Sequence, residues 1–169
     1  MRYLLAGILA LSFVSCTTVV SADEFDTTSI PAKQIECLAL NIYHEARDQS
    51  HVGQVAVAMV TINRVQSNRF PNTLCGVVHH GYNPMRSDCH FSWFCDGKPD
   101  TPHEVKAWDN AVTMANWLAY QHDDIVDPTD GATHYHASRV TPWWSSMMKK
   151  LTTIDDHEFY LESLRYAKK

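Results

Sequence analysis

Positive charge is scarce in this chain. Over 169 residues, 14 lysines and arginines stand against 19 aspartates and glutamates, a net charge of −5, and no run of Lys and Arg exceeds two residues. No excess of cations is left to neutralise phosphates, which excludes nucleic acid as a partner. Beyond the first twenty-odd residues, no apolar stretch reaches the roughly 18 residues that a spanning helix needs, so the body of the protein is expected to be soluble. Internal repeats, low-complexity tracts and a linker to a second hydrophobic unit are also missing, and residues 31–165 are expected to form one domain. The common metal and nucleophile signatures fail too. There is no Cys-x-x-Cys, and His44-Glu45 has Asp48 where a second zinc-binding histidine would stand one helical turn on. Ser92 and Ser145 lie outside any G-x-S-x-G context.

The chain begins with one arginine, an apolar run from Tyr3 to Val14 and a small, polar stretch ending Val20-Ser21-Ala22. This three-part pattern predicts a secretory signal at residues 1–22, cleaved after Ala22, and export to the periplasm or the cell exterior. A less favoured reading takes Phe13-Val14-Ser15-Cys16 as a lipoprotein box with Cys16 lipidated. Removal of 22 residues would leave 147 and reduce five cysteines to four: Cys37, Cys75, Cys89 and Cys95. In an oxidising compartment these are expected to form two disulfides. Of the three possible pairings, Cys37–Cys75 with Cys89–Cys95 is preferred, because the latter two are close enough for a small local loop.

Periodicity predicts a helix over 31–48, with Ile35, Leu38, Ile42 and Ala46 on one face, Ser29 as cap and Pro31 in the first turn. A second helix, 53–65, is apolar nearly all round and therefore buried. Residues 71–101, rich in Pro, Gly and Cys, read as a long stapled loop. Thr101-Pro102-His103-Glu104 reads as a capping box opening a third helix to Tyr120. A turn at 127–131, a strand at 132–137, a short helix at 143–151 and a strand at 158–161 complete a mainly α, α+β domain.

Glu45 stands out chemically. It follows Leu38 by seven residues and Ile42 by three, so the helix turns its carboxyl toward the core. Arg47 is on another side of the helix and cannot pair with it locally. A carboxyl desolvated by aromatic neighbours holds its proton to higher pH, as a general acid for glycosidic cleavage requires. Asp88, Asp96, Asp130, Asp155 and Asp156 all fall in loops or turns, and none presents itself as a second catalytic carboxylate. Cleavage of the lytic transglycosylase kind needs only one, with no metal or cofactor. Two alternatives remain: a zinc-dependent N-acetylmuramoyl-L-alanine amidase using His134, His136 and His157, and a non-catalytic wall-binding module.

The segments Asn41 to Arg47, Gly53 to Ala58, Asn63-Arg64-Val65, Phe70-Pro71-Asn72-Thr73, Gly131-Ala132-Thr133-His134-Tyr135 and His157-x-Phe159-Tyr160 resemble, in order, the SleB-type cell-wall hydrolases, named for spore-cortex-lytic enzymes. The four cysteines are similar to those of an exported branch of that family. The resemblance implies a lysozyme-like fold, cleavage of the MurNAc-GlcNAc bond in peptidoglycan glycan strands, and one essential glutamate at Glu45. It places Tyr43, Asn63, Phe91, Ser92 and Tyr135 along the substrate groove. No separate wall-binding module accompanies the block, so ordinary cell wall is the expected target, and the protein is expected to be a monomer. An acidic chain has little general attraction to an anionic wall, so aromatic stacking should hold the sugar. Trp93 and Trp143 or Trp144 fall in segments expected to flank the groove, and Trp108 on the apolar face of a helix.

Overall fold

The computed structural model describes residues 29–83 and 89–162. The expected signal with its cleavage point and Cys16, Asp88, and residues 163–165 of the expected domain lie outside the described residues.

Helix α1 spans Ala32–Ala46, with Pro31 itself at the N-cap and Ser29 before it. Ile35, Leu38, Ile42 and Ala46 are buried, as their spacing dictates. Helix α2, His51–Gln66, starts two residues earlier than the pattern suggests, because the Ser50 side chain accepts the Gly53 N–H at 3.2 Å and caps it. Its all-round apolarity has a simple cause. Val55, Ala58, Met59 and Ile62 pack with α1, while Ala56, Val57 and Val60 pack with Ala132 and Phe159 of the β region. A five-residue helix α3, Leu74–Val78, and a 3-10 turn, Ser92–Cys95, break up the expected long loop.

Helix α4 runs Val105–Gln121 and joins α1 and α2 in the helical core. The Tyr43 hydroxyl accepts the N–H groups of His103 and Glu104, and Tyr120 reaches back to the Ile30 carbonyl, so α4 runs antiparallel to α1. The capping box expected at Thr101 to Glu104 is not made. Glu104 is the N-cap without a side-chain cap, and its carboxylate binds Arg47 at 2.8 Å instead. Tertiary partners from α1 have replaced the local ones.

Strands β1 (His134–Ala137), β2 (Met148–Ile154) and β3 (His157–Glu162) form an antiparallel sheet in the order β1-β3-β2. The helix expected at 143–151 shrinks to one 3-10 turn, Ser145–Met147, before β2 begins. Thr152, Thr153 and Ile154 favour a strand, and the bulge between Lys150 and Thr152 lets Leu151 and Ile154 reach the same core. Asp155, at φ 48°, and Asp156 make the tight turn into β3. That turn docks on the α1–α2 junction. The Asp155 carboxylate accepts the Ser50 N–H at 2.9 Å, and the Asp156 N–H reaches the Gln49 side chain at 3.2 Å. A Cβ on Gly53 would collide with that Asp155 carboxylate, which explains glycine in the first turn of α2.

Disulfides join Cys37 of α1 to Cys75 of α3, and Cys89 to Cys95 around the loop carrying Phe91 and Ser92. Among the described residues, no helix is long and apolar enough to cross a membrane.

Candidate active site

A cavity of about 410 Å³ opens where the end of α1, the Phe91-Ser92 loop, β1 and the β2–β3 turn meet. Glu45, in the last turn of α1, lies in its wall with Arg64 of α2 and Tyr135 of β1. Burial pushes the Glu45 carboxyl above its ordinary value, and the Tyr135 hydroxyl and the Arg64 charge pull it partly back. The tyrosine is close enough to draw the carboxyl down without forming a well-directed hydrogen bond. Its own phenol is pushed well up, chiefly by burial, so it stays a neutral donor.

Arg64 is held from several sides. Its Nε donates to the Thr133 carbonyl at 2.7 Å, and its guanidinium lies 5.2 Å and 5.1 Å from the ring centres of Phe70 and Phe91. His90 and His134 near it are both pushed down to about 4, by burial first and by the Arg64 charge second, and are neutral at ordinary pH.

Of the residues expected along the groove, Phe91, Ser92 and Tyr135 line this cavity with Glu45. Phe91 is buried in the wall, and Ser92 is exposed. The other three lie elsewhere, each for a physical reason. Tyr43 is buried in the helical core with its hydroxyl committed to the start of α4. Asn63 donates to the Asp127 carboxylate at 2.9 Å and the Ala132 carbonyl at 3.0 Å. Asp127 also accepts the N–H groups of Thr129 and Gly131, so Asn63 braces the turn that feeds β1. Trp93 is buried beneath the cavity. Its ring N–H donates to Asn41 Oδ1 at 3.1 Å, Asn41 in turn donates to Thr61 at 3.0 Å, and its face stacks on His44 at 4.5 Å. Trp144 is half-buried against His134, His136 and Tyr160, Trp143 is 78% exposed, and Trp108 packs on the helical core.

Sequence reasoning passed over several cavity residues. Asp48 and Asp156 are both in the wall and both exposed. Asp48 is kept below the usual carboxylate range, first by a hydrogen bond from Gln49. Arg64 stood inside a recognised motif without a role, and His157 had one only as a zinc ligand of the amidase alternative. The signal available for Arg64 was its place in a helix that is apolar on every side, where a charge needs a reason. Among the described residues, no three His, Cys, Asp or Glu side chains converge as metal ligands. His136 is instead engaged with the Tyr160 hydroxyl and the Ala137 carbonyl, and His134 with Thr133.

The sequence profile of the cell wall hydrolases matches residues 48–160. A spore cortex-lytic enzyme of Bacillus subtilis is 48% identical over 112 residues, covering 64% of this chain and 32% of the relative. Its counterpart in Halalkalibacterium halodurans is 30% identical over 137 residues, covering 78% and 37%. The catalytic domain of a germination-specific lytic transglycosylase, SleB from Bacillus anthracis, aligns with a TM-score of 0.58 at 31% identity, over 79% of this chain and 98% of that domain. The chain thus spans about a third of the length of these curated relatives, and nearly all of the solved catalytic domain.

Proposed function

The chain belongs to the cell wall hydrolase family and has its lysozyme-like, mainly helical α+β fold; from that premise we propose that residues 31–165 are a peptidoglycan-degrading domain acting as a lytic transglycosylase, with Glu45 as its acid and base. The observation that carries the reading is a protonatable carboxyl, raised by burial, in the wall of an open cavity. The family profile begins at Asp48, three residues past Glu45, so the role of this residue rests on the geometry.

In the first step the Glu45 proton passes to the glycosidic oxygen, and the bond from C1 of the muramyl residue to that oxygen breaks. The C6 hydroxyl of the same residue then attacks C1, and the Glu45 carboxylate takes its proton. The ring closes as a 1,6-anhydro sugar and no water is consumed. Tyr135 and Arg64 support the first half, because both favour the carboxylate that proton donation leaves. Burial keeps the carboxyl protonated before the reaction and draws the proton back in the second half. A site that must lose and regain one proton needs both influences.

Peptidoglycan glycan strands are the proposed substrate. We place the protein outside the cytoplasm, exported through residues 1–22, and as a monomer. A second reading has one observation in its favour: Asp48 and Asp156 share the cavity with Glu45, and either could serve a two-carboxylate hydrolysis. Mass spectrometry of digests from purified sacculi separates these. Anhydromuramyl ends are expected; reducing ends would support hydrolysis, and free stem peptides would return the amidase. Glu45→Gln should lower the rate by about 10²–10⁴. Lysis at the parent rate would remove Glu45 from the mechanism.

A further inference from the structure

Among the described residues, four buried side-chain polar atoms have no hydrogen-bond partner, and three of them belong to the wall of the Glu45 cavity: Arg64 Nη1, Tyr135 Oη and His157 Nδ1. Buried polar atoms are almost always satisfied, so a cluster of exceptions in one wall marks where a ligand completes the bonding. Arg64 is the most demanding of the three. It is only 5% exposed, its Nε is already used, and Phe70 and Phe91 flank its guanidinium. Such a group is preorganised, and its Nη1 is left with its bonding to complete.

Resting on the glycan-cleaving reading, we propose that Arg64 is a specificity-determining residue whose Nη1 donates to the carbonyl oxygen of an acyl substituent on the sugar chain. The electrostatics of the cavity select a neutral acceptor over an anion. Asp48 and Asp156 face the same space, and Glu45 must itself become a carboxylate during the proposed reaction. Arg139 in the same wall offsets part of that negative charge, but an anion on Arg64 would oppose the change of Glu45 to a carboxylate, whereas a carbonyl dipole suits both protonation states of Glu45. Peptidoglycan offers two such carbonyls, the acetamido group on each sugar and the lactyl group on muramic acid. A strand lacking both would leave the buried guanidinium unsatisfied. Rejection of a ligand that lacks the partner of a buried donor is far sharper than rejection by apolar fit.

The test uses the Glu45→Gln protein, so that nothing is turned over, and three β-1,4-linked tetrasaccharides: N-acetylglucosamine, alternating N-acetylglucosamine and N-acetylmuramic acid with each lactyl carboxyl amidated by alanine amide, and plain glucose. Calorimetry gives each affinity, with Arg64 present and in the Arg64→Lys variant. With Arg64, replacing the acyl-bearing ligand by the glucose tetramer should weaken binding by about 10- to 100-fold. In the Arg64→Lys variant that difference should shrink toward unity. A full effect with the N-acetylglucosamine tetramer assigns the acetamido carbonyl. An effect seen only with the muramyl ligand assigns the lactyl carbonyl. Equal sensitivity to the acyl group with and without the Arg64→Lys change overturns the proposal. Arginine side-chain NMR of the unmodified Arg64 site covers the case in which Arg64→Lys folds poorly, since the guanidinium resonance must shift with acylated ligands and stay in place with glucose. If no saccharide binds the Glu45→Gln protein, the function itself is wrong, a result distinct from binding that ignores Arg64.

Discussion

Replacing Trp93 by Phe decides whether this ring holds substrate or holds the floor of the site. In the structure the Trp93 ring N–H is a hydrogen-bond partner of the fully buried Asn41 Oδ1, while the Asn41 amide is used on Thr61. Phenylalanine keeps part of the stack on His44 and removes the donor. An acceptor left unpaired in a dry interior costs about 1–3 kcal/mol, and the smaller ring adds roughly 1 kcal/mol of lost packing. For a domain near this size each kcal/mol lowers Tm by about 2–4 °C, so a fall of about 5–15 °C is expected by circular dichroism. At temperatures well below that melt, KM for solubilised glycan should change less than about twofold, because the ring does not line the cavity. Substituting Asn41 by Leu in the same protein should return part of the lost stability, since removing both partners is milder than removing one. A tenfold rise in KM with Tm unmoved would refute the buried-brace assignment and return Trp93 to the groove.

Two further outcomes follow from the same structure. Glu45 sits above its ordinary value in the folded chain, so the folded state binds more protons than the unfolded one, and stability falls as pH rises through the shifted value. Glu45→Gln should therefore melt higher than the parent at pH 7–8 and equal to it below about pH 4, measured by thermal denaturation across pH; a parent more stable at pH 8 would contradict the desolvation. Replacing Cys37 and Cys75 by serine opens a loop with a sequence separation of 38, and the chain-entropy model assigns about 4 kcal/mol to its closure. A denaturant midpoint that barely moves would show that α1 and α3 need no staple.

Local pattern reached a good way into this fold because the helices follow their own periodicity. The spacing of Ile35, Leu38 and Ile42 placed α1 and turned Glu45 inward, and the apolar residues of α2 demanded burial on both faces. The misses share one cause, competition from distant partners. Thr101 to Glu104 carries a good capping sequence, yet Tyr43 and Arg47 took its backbone and its glutamate. Residues 148–151 fall in the helix expected at 143–151, but pairing with β3 and contact with Phe159 made them part of a strand. Trp93 looked like a loop aromatic available for sugar, and Asn41, from a helix 52 positions away, claimed its one donor.

By itself, the sequence determined the helical scaffold, the inward carboxyl, the acidic charge that turns recognition away from simple attraction, and the composition of the motifs. These depend on neighbours within a turn or two, or on totals, and such information is present in a linear string. The tertiary structure alone decided what surrounds that carboxyl. Tyr135 and Arg64 reach Glu45 from a strand and a second helix, and the β2–β3 turn closes on the α1–α2 junction through Asp155 and Asp156. Burial, charge and unpaired donors are properties of three-dimensional neighbours. They turn one glutamate among nineteen acidic residues into the candidate acid, and a recognised but unassigned arginine into a candidate reader of the substrate.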